Sequence, residues 1–116
     1  MEDKLLEIIN NYGILSQLKY FQSEVFELNE AIIIEEDRNK HLNLKKFSTD
    51  DIAQEIADCY VMIEQFRLYY DIPNDKIQEI MKYKIDRQID RMKKEEENNN
   101  ERITEDNVRK ENWKWR

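Results

Sequence analysis

Four acidic residues carry the chemistry this chain is best equipped for. Glu24 and Glu27 lie three residues apart, and Glu55 and Asp58 repeat that spacing further along. On a helix, such spacing puts both carboxylates of a pair on one face. Like charges held that way repel and weaken the helix unless a cation sits between them. Carboxylate oxygens suit a hard divalent ion, Mg²⁺ foremost with Mn²⁺ as a substitute. Mg²⁺ commonly takes one or two carboxylates and fills its remaining positions with water and phosphate oxygens. The expectation is therefore a carboxylate cage for Mg²⁺ and chemistry on a phosphate-bearing substrate.

Such a cage needs two helices side by side. The second predicted helix runs from about Leu15 to Glu36, with a seam at Ile14, Leu18, Phe21, Val25, Leu28 and Ile32. Those steps of four and three mark a bundle-facing stripe. One position earlier lies the stripe Gln17, Tyr20, Glu24, Glu27 and Ala31. The third helix is expected to start at Ser48 as N-cap, with Asp50 and Asp51 in its first turn, and to run to about Tyr70. Its seam is Ile52, Ile56, Cys59, Ile63, Phe66 and Tyr70, and one position earlier stand Asp51, Glu55, Asp58, Met62 and Gln65. Both acidic pairs thus hold the same offset from an apolar seam.

The flanking elements follow from the same periodicity. Asp3 to Asn11 reads as a short amphipathic helix with Leu5, Leu6, Ile8 and Ile9 as its apolar side, stopped by Gly13. Glu36 to Phe47 reads as a polar connection carrying Lys45 and Lys46. Pro73 suits the first turn of a fourth helix, from about Asn74 to beyond Met92, whose seam is Ile77, Met81, Ile85, Ile89 and Met92. After Lys94 the run Glu-Glu-Glu-Asn-Asn-Asn reads as solvated or frayed. The fold expected is all-α: an antiparallel helix bundle of about four main helices, with a short N-terminal helix and a charged C-terminal tail. Residues 1–94 form its domain. Residues 95–116 form the tail, docked or partly disordered, with Trp113 and Trp115 as apolar anchors.

Composition agrees. One Gly and one Pro in 116 residues argue for long helices, and 39% charged residues for a solvated surface. A net charge of −7 argues against a nucleic-acid polymer as partner. It leaves a nucleotide substrate open, since a bound divalent ion reverses the local sign. No apolar run reaches the ~20 residues of a membrane span. The N-terminus reads as no signal peptide, and the single cysteine, Cys59, fits a reduced cytoplasmic setting.

The segment Gln17 to Leu28, with Glu24-Val25-Phe26-Glu27, and the later Glu55-Ile56-Ala57-Asp58 resemble the MazG-like nucleotide pyrophosphohydrolases of the all-α NTP pyrophosphohydrolase superfamily. Their signature is Glu-x-x-Glu followed, after a variable gap, by Glu-x-x-Asp. The resemblance covers about Gly13 to Met92 and includes the basic stretch at Lys84 and Arg87. It implies Mg²⁺-dependent hydrolysis of an NTP or dNTP to the monophosphate and pyrophosphate, by a homodimer or homotetramer. Carried over by position, Glu24, Glu27, Glu55 and Asp58 are the metal ligands and catalytic carboxylates, one of them orienting the attacking water. Lys84 and Arg87 bind phosphate, and Gln17 and Tyr20, on the acidic stripe, contact the nucleoside. Ser23 stands where many members carry a second acid.

Each residue also has a plainer account. Either acidic pair alone is a solvated face, His41 a surface residue, Cys59 a core thiol, and Lys84 and Arg87 ordinary helix charges. The rival function is a non-catalytic helical bundle that binds a partner or a nucleotide.

Overall fold

The structure is a computed structural model that describes residues 1–40 and 49–101, excepting the side chains of 38–40 and of 101. Within those residues the chain is all-helical: α1 (Glu2–Tyr12), α2 (Ile14–Lys40), α3 (Thr49–Tyr69) and α4 (Asn74–Glu101). Helix α2 runs on to Lys40, through the first residues of the polar connection expected from Glu36, because no breaker stands there. The rest of that connection, with His41, Lys45 and Lys46, lies outside the described residues, as do Ser48 and the Trp113–Trp115 tail. Helix α4 continues through the acidic and Asn-rich run expected to be solvated or frayed. Glu and Lys are good helix formers and the segment holds no Gly or Pro, so propagation meets no breaker there.

Packing divides the chain into two units, Met1–Asn74 and Asp75–Arg116. In the first, α2 and α3 make the largest interface and α1 packs mainly on α3. Gln17 meets Gln65, while Glu24, further along α2, meets Glu55 and Asp58, earlier on α3, so the two helices run antiparallel. The Phe21 and Phe66 rings meet edge to face at 5.5 Å, the favoured geometry for an aromatic pair.

Two backbone devices set the helix ends. Gly13, between α1 and α2, adopts φ 91° and ψ 152°, a region L-residues avoid, while its N–H still bonds to the Ile9 carbonyl. The expected stop at Gly13 is therefore a sharp joint, since α2 begins at the next residue. Helix α3 ends in a Schellman arrangement: Asp71, at φ 53°, donates to the Leu68 carbonyl, and Ile72 donates to that of Arg67. Buried Arg67 adds a guanidinium bond to the Ile72 carbonyl at 2.8 Å and ion pairs with Glu64 and Glu2, both at 2.9 Å. The Glu2 pair ties the start of α1 to the end of α3.

The interface is rotated from the expected seams. On α2 the buried residues are Gln17, Glu24 and Ala31, with Phe21, Val25 and Leu28 half-buried, while Leu18 and Ile32 are exposed. On α3 the buried stripe passes through Cys59, Met62 and Gln65, and Ile56, Ile63 and Tyr70 are exposed. On α4 only Ile77 of the expected seam is half-buried; Met81, Ile85, Ile89 and Met92 are exposed. Neighbouring stripes lie about 100° apart, within the width of one helix face, so periodicity does not choose between them. Contact with a partner helix does.

Candidate functional site

The rotation brings the acidic stripes of α2 and α3 together. One carboxylate oxygen from each of Glu24, Glu55 and Asp58 falls within a group whose members all lie within 4.8 Å of one another. Glu24 is buried at 6% exposure, Glu55 is half-buried and Asp58 is exposed, so the group grades from interior to solvent. Glu24 Oε2 and Glu55 Oε2 are buried and have no hydrogen-bond partner. A buried polar atom without a partner is uncommon in folded proteins, and a buried carboxylate oxygen is among the costliest cases. Two such atoms in one acidic cluster call for a proton or a cation.

The local electrostatics agree. Burial raises the pKa of Glu24, and Glu27, Asp58 and Glu55 raise it further, while a hydrogen bond from the Tyr20 hydroxyl acts against them. Glu55 is raised by burial, then by Glu27 and Asp58. Tyr20 is raised in turn, chiefly by its hydrogen bond with Glu24. Cys59, packed behind the cluster, is raised by burial and then by the carboxylates of Glu24, Asp58 and Glu55. The lone thiol is thus a buried core group.

Glu27 is exposed and stands outside the tight group, although its charge is felt at both Glu24 and Glu55. Three of the four expected ligands therefore converge, and the fourth borders them. Lys84 is exposed and Arg87 half-buried on α4, in the second unit. Arg87 lies over the Tyr83 ring, 5.5 Å from its centroid.

Beside the carboxylates opens a cavity of about 590 Å³, within the range of small-molecule sites. Glu24 and Asp58 line one part of it, Tyr20 and Tyr12 contribute phenol rings, and Gln17 and Gln65 contribute amides. Gln17 and Tyr20, the nucleoside contacts expected from the sequence, both reach this cavity. Tyr12, at the end of α1, and Gln65 were not among those candidates. Gln65 left a signal: it stands on the Glu55–Asp58–Met62 stripe, an amide among positions facing a neighbouring helix.

The donor set, all carboxylate oxygen with two buried oxygens unpartnered, fits a hard divalent cation such as Mg²⁺ or Mn²⁺. No helix among the described residues is long and apolar enough to cross a membrane. No family model, curated protein or solved structure matches the chain.

Proposed function

We propose that this protein is a Mg²⁺-dependent nucleoside triphosphate pyrophosphohydrolase of the MazG-like kind. The observation that carries the proposal is the pair of buried, unpartnered oxygens, Glu24 Oε2 and Glu55 Oε2, in a cluster that opens beside a nucleotide-sized cavity. A purely structural helix interface gains nothing from such atoms. Replacing a buried charged group by apolar residues is often neutral or stabilising.

Glu24, Glu55 and Asp58 would hold the ion, which supplies charge neutralisation for the triphosphate and acidifies water. The graded burial of the three carboxylates keeps the inner oxygens dry and leaves Asp58 open to the substrate side. Glu27, exposed beside the cluster, would orient the attacking water and take its proton. Water attacks the α-phosphorus, the bond from that phosphorus to the bridging oxygen breaks, and pyrophosphate leaves with the electron pair. Tyr20 steadies Glu24 through their hydrogen bond. Lys84 and Arg87 remain the phosphate-binding candidates of the same proposal.

A second copy of the chain belongs to this picture as well. Phe26, Ile33, Ile56, Tyr60 and Ile63 are exposed on α2 and α3, more apolar surface than a lone small bundle usually leaves open. A homodimer or homotetramer would cover it. The same surface would serve the rival function, a non-catalytic interaction module.

The test is pyrophosphate release from a panel of NTPs and dNTPs with Mg²⁺, by the wild-type chain and by Glu55→Gln and Asp58→Asn. Release by the wild type and its loss in both variants is expected. A wild-type chain that releases no pyrophosphate from any panel member at any Mg²⁺ concentration overturns the proposal.

A further inference from the structure

The amides lining the cavity do something the carboxylates do not explain. Gln65 is 1% exposed and Gln17 7%, and they face each other across the α2–α3 interface. Gln17 Nε2 donates to Gln65 Oε1 at 2.8 Å, and Gln65 Nε2 donates to the Met62 sulfur at 3.7 Å. The thioether has no hydrogen to give, so it accepts only, and this sets which end of Gln65 faces it. Gln65 must turn its amino end to Met62 and its carbonyl to Gln17. That in turn commits the amino end of Gln17 and leaves Gln17 Oε1 as the acceptor the pair does not itself consume. Two amides at a helix contact are an expensive substitute for leucines, because their polar groups must be desolvated. Here they line the same cavity as Glu24 and Asp58, together with Tyr12 and Tyr20.

We propose that this pair is the base-reading element of the site: Gln17 contacts the edge of a nucleobase through its carbonyl, and Gln65 is a positioning residue that holds that amide in one orientation. The ligand class is a planar heterocycle bearing an N–H donor on its edge, with the phenol rings of Tyr12 and Tyr20 offering flat faces beside it. A lone Gln reads donor and acceptor edges alike by rotating its amide. A Gln locked by Gln65 and Met62 does not, and selectivity among bases follows from the lock. The inference deepens the proposed function and rests on the nucleotide occupying this cavity, but it does not require hydrolysis.

The experiment is calorimetric binding by the full chain with Mg²⁺. The probes are α,β-imido analogues of the nucleoside triphosphates and, as the base-free probe, tripolyphosphate. The wild type should bind at least one nucleotide analogue more tightly than tripolyphosphate and should rank the bases. Gln65→Leu should compress the spread between best and worst base by about tenfold or more, because the unlocked Gln17 amide then turns to suit donor and acceptor edges alike, and leave tripolyphosphate affinity unchanged. The double variant Gln17→Leu/Gln65→Leu removes both amides, so no orphan is left to unfold the chain, and should bind all analogues alike. Equal wild-type affinity for every analogue and for tripolyphosphate overturns the inference even if pyrophosphate is released. A parallel loss of tripolyphosphate affinity in Gln65→Leu also overturns it, since the pair is then only structural. Base-ranked binding without hydrolysis upholds it and sinks the pyrophosphohydrolase proposal instead.

Discussion

Glu24→Gln should make the metal-free protein more stable and the Mg²⁺-loaded protein less so. The substitution keeps the side-chain shape and an oxygen for the Tyr20 hydroxyl but removes the charge. Two costs disappear with that charge. A buried polar oxygen without a partner costs about 1–3 kcal/mol; Glu24 Oε2 is one, and the amide nitrogen that replaces it can donate to a neighbouring carboxylate of the cluster. Repulsion from exposed Asp58, at up to 4.8 Å, adds about 1 kcal/mol at the dielectric of water. Against this, the charge-assisted bond from exposed Tyr20 becomes a weaker, neutral one. The net is a gain of about 1–3 kcal/mol. For a unit of this size each kcal/mol moves Tm by about 4–8 °C. Saturating Mg²⁺ reverses the order. A ligand at a thousand times its Kd stabilises the native state by about 4.1 kcal/mol, more than the variant gains, and only the wild type keeps the full site. The assay is a thermal melt of both proteins in chelator and in excess Mg²⁺, and the two Tm values should cross. A variant that melts below the wild type in chelator would make Glu24 an ordinary structural hydrogen-bonding group. A wild-type Tm indifferent to Mg²⁺ would remove the cation from the site altogether.

The metal-free protein should also lose stability as pH rises. Glu24 and Glu55 have folded pKa values above their ordinary 4.5, so their contribution is complete below that value and is lost as pH climbs through the raised values. The difference in Tm between wild type and Glu24→Gln in chelator, followed from pH 4 upward, should widen in favour of the variant; a flat difference would contradict the sign. Gly13→Ala should cost about 1–3 kcal/mol, since φ 91° and ψ 152° penalise any Cβ, while nothing lies within 4 Å to clash with it. A lower urea midpoint at unchanged m-value is the expected readout. Arg67→Met removes the tie from α3 to Glu2 and to the Ile72 carbonyl, so hydrogen exchange should quicken across residues 2–12 while the α2–α3 interface keeps its protection. Cys59, buried and with its pKa raised, should resist iodoacetamide at mildly alkaline pH and react once urea unfolds the chain; fast alkylation of the native protein would show it to be accessible.

The all-helical architecture was legible because a single Gly, a single Pro and sustained four-three apolar spacing leave little else for the chain to be. Both punctuation marks, Gly13 and the Asp71–Pro73 break, fall where the helices end. The two acidic pairs were legible for the same reason: spacing on a helix is local geometry. Which residues face the partner helix was not. Leu18, Ile32, Ile56 and Ile63 satisfy the seam pattern as well as Cys59 does, yet beside Cys59 the buried positions are Gln17, Glu24, Ala31, Met62 and Gln65, one step off that seam. The orphaned oxygens of Glu24 and Glu55, the bordering place of Glu27, and the Gln17–Gln65 lock all follow from that rotation. Local sequence determines the periodicity of a helix, and so which residues share a face. How far each helix turns about its own axis depends on contacts between segments far apart in sequence, such as Gln17 and Gln65, 48 residues apart, and only the packed tertiary structure decides that.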